Sequence, residues 1–405
     1  MGDVLFLAHR IPFPPDRGDK IRGFHMLRHL ARGSRVHLIA FADTSNDLKR
    51  KGGLVPFTAS RSIIFRSKPQ WIAALQALLW RRPVSLAAFE SRVFAEAVQN
   101  VISRHSIDTI FVFSSQMAQY LPSSGRFRVV MDFCDMDSAK FAAYAQNARG
   151  PMRWMMQREA NLLLQHDRGV AARAAASLFV SEAEAALFRE RTKAERVHVV
   201  ENGIDTAFFD PGAHFKRIET VAGSLIVFTG QMDYRPNVDA VRWFAETVLP
   251  HIQVKHPAAR FVIVGRNPNE AVRALARLPG VIVTGEVPDV RGWLAAAHVV
   301  VAPLLLARGV QNKVLEAMAM ARPLVASAAA AEGIDHGDTI RIGTTVGEMA
   351  DQITALIEDP AKAHALGKAA RAQVLKRYGW PARLAALDPI LGRSFGPVRE
   401  RMGAV

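Results

Sequence analysis

One cysteine, Cys134, stands among 405 residues. No disulfide can form within the chain, and the pattern fits a reducing compartment. Metal-ligand clusters such as H-E-x-x-H or paired C-x-x-C are missing. No stretch of about eighteen apolar residues occurs, so no membrane-spanning helix is expected. The opening, MGDVLFLAHRIPFPPDRGDK, lacks a basic start and an A-x-A site. Its short apolar run, residues 4–8, reads as a first strand and not as a signal peptide. No G-x-G-x-x-G is present, which disfavours a standard dinucleotide site. Gly18-Asp-Lys-Ile-Arg-Gly23 has the glycine spacing of a P-loop, but Phe24 stands where that loop needs lysine.

Acidic residues are in short supply. The formal net charge is +15, and residues 1–204 hold 29 Lys and Arg against 18 Asp and Glu. A basic half points to an anionic partner: phospholipid head groups, a phosphorylated substrate or nucleic acid. A generally basic, Arg- and Ala-rich background explains it equally well. Nucleic acid is the weakest of these, since the basic residues are dispersed and no DNA- or RNA-binding signature appears.

Half of the residues are hydrophobic, and the length suits two domains. Short branched runs at 4–8, 36–42, 63–66, 109–113, 129–133, 176–180 and 197–201 read as strands. Helical patterns at 21–32, 71–80, 89–104 and 153–176 lie between them. Asn202-Gly203-Ile204-Asp205 is a turn signal, after which the pattern begins afresh. Strands at 225–229, 261–264, 281–284, 299–306 and 324–327 alternate with helices at 239–249, 291–296, from Lys313 onward, 346–356, 360–378 and 381–391. Such alternation predicts an α/β chain of two doubly wound parallel sheets, Rossmann-like, with ligands in a cleft at the carboxyl ends of strands.

The stretch VVVAPLLLARGVQNKVLEAMAMARPLVAS, 299–327, carries the strongest site signal. A strand, a polar loop (Ala307 to Asn312, with Arg308 and Gly309) and a helix form one βαβ unit. The unpaired N–H groups of such a helix start collect anions. Lys313 adds a cation for a phosphate, and Glu316, one turn in, could accept bonds from ribose hydroxyls. The plain alternative is a sheet-packing helix whose Lys and Glu face water. Glycine ends three strands, at Gly230, Gly265 and Gly285, where a ligand could approach the backbone closely. In the first half, Asp16, Arg17, Gly18, Asp19 and Lys20 follow the first strand. Asp132, Asp135 and Asp137 follow another. Asp135-Met-Asp137 has metal-binding spacing, but a two-letter match is frequent by chance; Asp132 and Asp135 are read instead as bases or acceptor-orienting groups. His9 is a lone histidine at a strand tip. The segment 71–80, WIAALQALLW, is apolar nearly all round and flanked by Arg66, Lys68, Arg81 and Arg82. A buried core helix is the commoner reading of it, and a helix dipping into a bilayer interface is the other.

Three runs carry a resemblance: Val199-Val-Glu-Asn-Gly-Ile-Asp205, Phe228-Thr-Gly-Gln-Met-Asp-Tyr-Arg-Pro-Asn-Val-Asp-Ala240 and Lys313-Val-Leu-Glu-Ala-Met-Ala319, with Tyr378-Gly-Trp380 near the end. They resemble glycosyltransferase family 4 of the GT-B fold. The opening run from His9 to Arg22 and Ser181-Glu-Ala-Glu-Ala185 are similar to the sugar transferases associated with PEP-CTERM/exosortase exopolysaccharide clusters. A cytoplasmic enzyme is expected, and the basic N-terminal half with Trp71–Trp80 gives a second expectation, peripheral docking on the inner face of the plasma membrane. It implies an acceptor-side domain at 1–204, a nucleotide-sugar domain at 205–380, and a last helix, about 381–395, packing back on the first. It implies a retaining transfer from a nucleoside-diphosphate sugar to a lipid-linked or growing polysaccharide acceptor, with no cofactor and no essential metal. Glu316 matches the second glutamate of the family's E-x7-E motif. Gly309 and Lys313 match its diphosphate loop, and Gly18 the N-terminal loop glycine. Two departures stand out: Arg308 replaces the first glutamate, and Gln231 replaces the arginine after the strand glycine, with Arg235 nearby. Catalytic roles therefore fall to Glu316, Lys313 and Asp135. Donor binding falls to Gly18, Gly230, Gln231, Arg235, Gly265, Gly285, Arg308, Gly309 and Asn312. A nucleotide-sugar epimerase of related fold and a non-catalytic sugar- or nucleotide-binding module are the alternatives.

Overall fold

The computed structural model describes residues 2–15, 18–49, 51–123, 127–218, 223–307 and 310–392. Contacts divide the described residues into two units, those of Met1–Asn202 with Arg383–Val405 and those of Gly203–Ala382.

The first unit is built on β1 (Asp3–Ala8), β2 (Val36–Ala42), β3 (Ser60–Phe65), β4 (Ile107–Phe113), β5 (Arg128–Cys134), β6 (Ala176–Phe179) and β7 (Val197–Val199). They pair in the order β3-β2-β1-β4-β5-β6-β7, every pair parallel. Strands buried on both faces need continuous apolar runs. Val4 to Ala8 and Ile110 to Phe113 supply them and are almost wholly buried.

The second unit holds β8 (Leu225–Thr229), β9 (Arg260–Val264), β10 (Val281–Gly285), β11 (Val299–Ala302), β12 (Leu324–Ala326) and β13 (Arg341–Ile342). The order is β10-β9-β8-β11-β12-β13, again all parallel. In each sheet the chain runs outward from one strand and then returns to that strand's other side. The reversals fall between β1 and β4 and between β8 and β11. Such a reversal opens a crevice at the strands' carboxyl ends.

Several sequence expectations shift at their edges. The run 299–306 is a strand only to Ala302. Pro303 has no N–H for the ladder, and Leu305 and Leu306 are exposed. The helix expected at 89–104 begins only at Arg92, because Ser91 caps it by accepting from the Phe94 N–H, and a separate short helix, Val84–Ala88, precedes it. The helix expected at 239–249 begins at Arg235, with Pro236 in its first turn, and passes through a π-helical turn, Phe244–Val248, into Leu249–Lys255. The last expected helix is two short ones, Trp380–Leu384 and Leu387–Leu391. A helix at Asp137–Asn147 goes unread in the sequence.

The family-like run ending in Asp205 has a packing reason. A Cβ on Gly203 would sit 2.7 Å from the Trp380 backbone, and Ile204 pairs with Gly379. Asp132 is corrected: it is no exposed base. It is fully buried, and Arg22 grips both its oxygens at 2.8 and 3.1 Å. Arg22, itself buried, also donates to the Val200 carbonyl and to Asn202 Oδ1, at 2.7 and 2.9 Å. Replacing Arg22 by Ala strands that carboxylate without its partner. The expected cost is about 3–5 kcal/mol, read from urea unfolding; a loss below about 1 kcal/mol would show that the pair is not holding β5 and β7 in place.

Candidate functional site

A cavity of about 480 Å³ opens at the reversal of the second sheet. Thr229 and Gly230 reach it from the end of β8, Val264, Gly265 and Arg266 from β9, and Glu286, Val287 and Val290 from beyond β10. Gln311, Asn312, Lys313 and Glu316 enter from the start of the helix Asn312–Ala319, which follows β11. The helix has no side-chain cap, so its positive end is turned to the cavity undiminished. The Thr229 hydroxyl, buried in the wall, has no hydrogen-bond partner among the described residues.

Lys313 is held by neutral groups. Its Nζ hydrogen-bonds Asn237 Oδ1 and lies 4.3 Å from the centroid of the Phe228 ring. Asn237, buried, is fixed in turn because its Nδ2 donates to the Gln231 carbonyl at 2.8 Å. Glycine at 230 makes the arrangement fit: a Cβ there would sit 2.9 Å from Asn237 Nδ2 and 3.3 Å from Lys313 Nζ. Burial pulls the Lys313 ammonium down to about 8, with Glu316 opposing the shift. Burial pushes the Glu316 carboxyl up to about 7, against the pull of Lys313. No hydrogen bond or ion pair joins the Glu316 carboxylate to any described residue. The site thus presents a cation, a helix N-terminus and an unsatisfied carboxylate, one turn apart, and it suits an anion that also carries hydroxyls.

Residues 223–359 match the family described as glycosyl transferases group 1. The matched stretch lies wholly within the second unit, which carries the likeness to that family. The chain is accordingly a glycosyltransferase, and its two parallel-sheet units have the GT-B fold of its structural neighbours. HepE from Anabaena, solved with UDP, superposes with a TM-score of 0.61 at 16% identity, over 96% of this chain and 99% of its own. Sucrose-phosphate synthase from Thermosynechococcus elongatus gives 0.59 at 16%, covering 96% and 98%. WaaG, a glycosyltransferase involved in lipopolysaccharide biosynthesis, gives 0.57 at 16%, covering 96% and 100%. No curated protein matches the sequence significantly.

Of the residues singled out in the glycosyltransferase sequence, Gly230, Gln231, Gly265, Asn312, Lys313 and Glu316 line the cavity. Arg308 and Gly309 lie outside the described residues. Gly285 is not among the lining residues: it ends β10, its carbonyl accepts from Gly265 N–H at 3.1 Å, and its φ of +71° suits glycine. Gly265 serves the protein itself, because a Cβ there would overlap the Gly230 carbonyl oxygen. Arg235 is not in the wall. Its side chain is 91% exposed and faces Asp239 at 3.6 Å. Among the described residues, the arginine that reaches the cavity is Arg266, which donates to Gln231 Oε1 at 3.2 Å.

In the first unit, Asp135 is ion-paired with Lys140 at 2.8 Å. Gly18 opens the helix Gly18–Leu30 with free space where a Cβ would sit. Lys20 is spent on Asp47 at 2.9 Å. Asp19 resists burial, which would raise its pKa, because His9 and Arg10 hold it ionised, well below the usual range. His9 stacks on Phe113, and its Nδ1 has no partner among the described residues.

Sequence reasoning missed Asn237 and Arg266, although both lie in or beside runs it quoted. Asn237→Leu removes the acceptor that favours the ammonium form of Lys313. The Lys313 pKa should then fall by about one unit, read from the pH dependence of amine acylation at that residue by mass spectrometry. An unchanged titration would show that the bond to Asn237 does not set the lysine's state.

Proposed function

We propose that the chain transfers a sugar from a nucleoside diphosphate to a lipid-linked or growing exopolysaccharide acceptor, with retention of anomeric configuration. The observation that carries the donor reading is the Glu316 carboxylate, unsatisfied and one turn inside the helix whose start holds Lys313. A carboxylate so placed accepts from both hydroxyls of a ribose while the diphosphate rests on Lys313 and the helix N–H groups. Val287 and Val290 offer apolar contact for a base at the far wall. HepE structures with UDP and glucose, and with UDP-glucose, support this donor class.

The chemistry asks for stabilisation of a leaving diphosphate as the glycosidic bond loosens. Preorganised cations and N–H dipoles supply that in a site of low polarity. Lys313, already positioned by Asn237 and Phe228, does so without reorganising. Arg266 adds charge where the family's arginine is replaced by Gln231. These groups neutralise the diphosphate without a divalent ion. Asp135 remains the candidate acceptor-side carboxylate, and a cytoplasmic reaction is implied by a nucleotide donor.

Calorimetric titration of UDP, GDP and their sugars tests the reading. Lys313→Ala and Glu316→Ala should each weaken the preferred nucleotide about tenfold or more, and Arg266→Ala should weaken it more than Arg235→Ala. Affinity should be greatest between about 7 and about 8 in pH. Below that window Glu316 takes a proton and accepts poorly; above it Lys313 sheds its charge. Full affinity in Lys313→Ala, or no pH dependence, would refute the donor site.

A further inference from the structure

The helix Gln70–Leu79 is turned inside out. At helical spacing Trp71, Leu75, Leu78 and Leu79 share one face, while Ala73 and Ala77 share the opposite one. A core helix would bury the large side chains. Here Ala73 and Ala77 are wholly buried, against Ala87 and Val84, and Trp71 and Leu79 are 69% and 70% exposed. Leu75, Leu78 and Trp80 are exposed as well. The core reading of this segment is therefore corrected for its large residues: only alanines pack inward.

The face continues onto the helix Gly150–Arg173. Arg158 donates to the carbonyls of Ala77 and Arg82, at 2.6 and 3.3 Å, and ties the two helices together. One turn before it, Trp154 is 60% exposed, and Met152 in the helix's first turn is exposed as well. Glu159 fixes the platform by accepting from the N–H groups of Val84 and Ser85 at 2.7 and 2.8 Å.

Charge decides what covers this face. Three of the four cations flanking the first helix are spent: Arg66 on Asp43, Arg82 on Glu90, and Lys68 on Glu90 and the Ala87 carbonyl. The guanidiniums of Arg81, Arg149 and Arg153 have no hydrogen bond or ion pair to any described residue. The neighbouring carboxylates, Glu90 and Glu159, are already engaged. Tryptophans and leucines rimmed by unpaired arginines, with no free carboxylate, match an anionic lipid surface: the rings and chains enter the boundary and the guanidiniums meet head groups. A second copy fits less well, since a twofold contact would set the arginines of one copy against those of the other.

We propose that this face, carried by Gln70–Leu79 and the first turns of Gly150–Arg173, docks the chain on anionic lipid. The docking goes beyond the donor site and needs no nucleotide. Flotation of the purified full chain with phosphatidylglycerol–phosphatidylcholine vesicles, at low salt and without nucleotide, tests it. The wild type should float with these vesicles, weakly or not at all with phosphatidylcholine alone, and less as salt rises. Arg81→Ala, Arg149→Ala and Arg153→Ala should each weaken binding about fivefold. Trp71→Ala with Leu79→Ala should abolish it, and Trp154→Ala should reduce it, at unchanged melting temperature. A wild type that stays soluble with anionic vesicles would overturn the proposal. So would binding that survives the Trp71 and Leu79 changes, or a lipid-free dimer that those changes break.

Discussion

An ammonium group held by an amide and a ring, with no carboxylate bonded to it, is the constraint on which the second unit's site depends. Lys313 could have been neutralised by an ion pair. Instead Asn237 and Phe228 point it, and the Glu316 carboxylate, not bonded to it, offsets its charge only in part. A charge kept this way loses more by desolvation than it regains from Glu316, which is why its proton is held less tightly. Glu316 carries the mirror-image cost, since burial raises its pKa and nothing described donates to it. Neither arrangement benefits an empty protein. Both become favourable when a ligand brings negative charge to one and hydroxyls to the other.

The sheet is shaped to allow this. Gly230 leaves room for the Asn237 amide and the lysine tip, and Gly265 leaves room for the Gly230 carbonyl. Gly285 then closes the row in a left-handed conformation at the end of β10. The three glycines are a stack of mutual backbone fits, and the cavity is what remains above them. Because the reversal of strand order falls between β8 and β11, the helix after β11 aims its start at the same point. The proposed docking on lipid, carried by the first unit, rests on residues of its own.

Much of this was legible in the sequence, for reasons that can be named. Doubly buried parallel strands leave unbroken branched runs, so 36–42 and 225–229 read to the residue. The loop and helix that bring in Lys313 and Glu316 are contiguous, so local pattern sufficed. Asn237 was not legible: its partner lies 76 residues away, and an Asn after Pro at a helix start reads as ordinary local punctuation. Asp132 misled because a carboxylate after a strand looks the same whether it faces solvent or a buried arginine such as Arg22. The segment 71–80 misled because hydrophobicity alone does not tell inside from outside. The alanines at 73 and 77, opposite the leucines, were the available clue. Pro303 was a visible stop inside 299–306, outweighed by the leucines after it.

The most direct measurement is protection of one amine. With the full chain near neutral pH, Lys313 acylation followed by mass spectrometry should slow strongly when a binding nucleoside diphosphate is added, while exposed lysines keep their rates. A nucleotide that binds the chain yet leaves Lys313 reacting as fast as before would contradict the account.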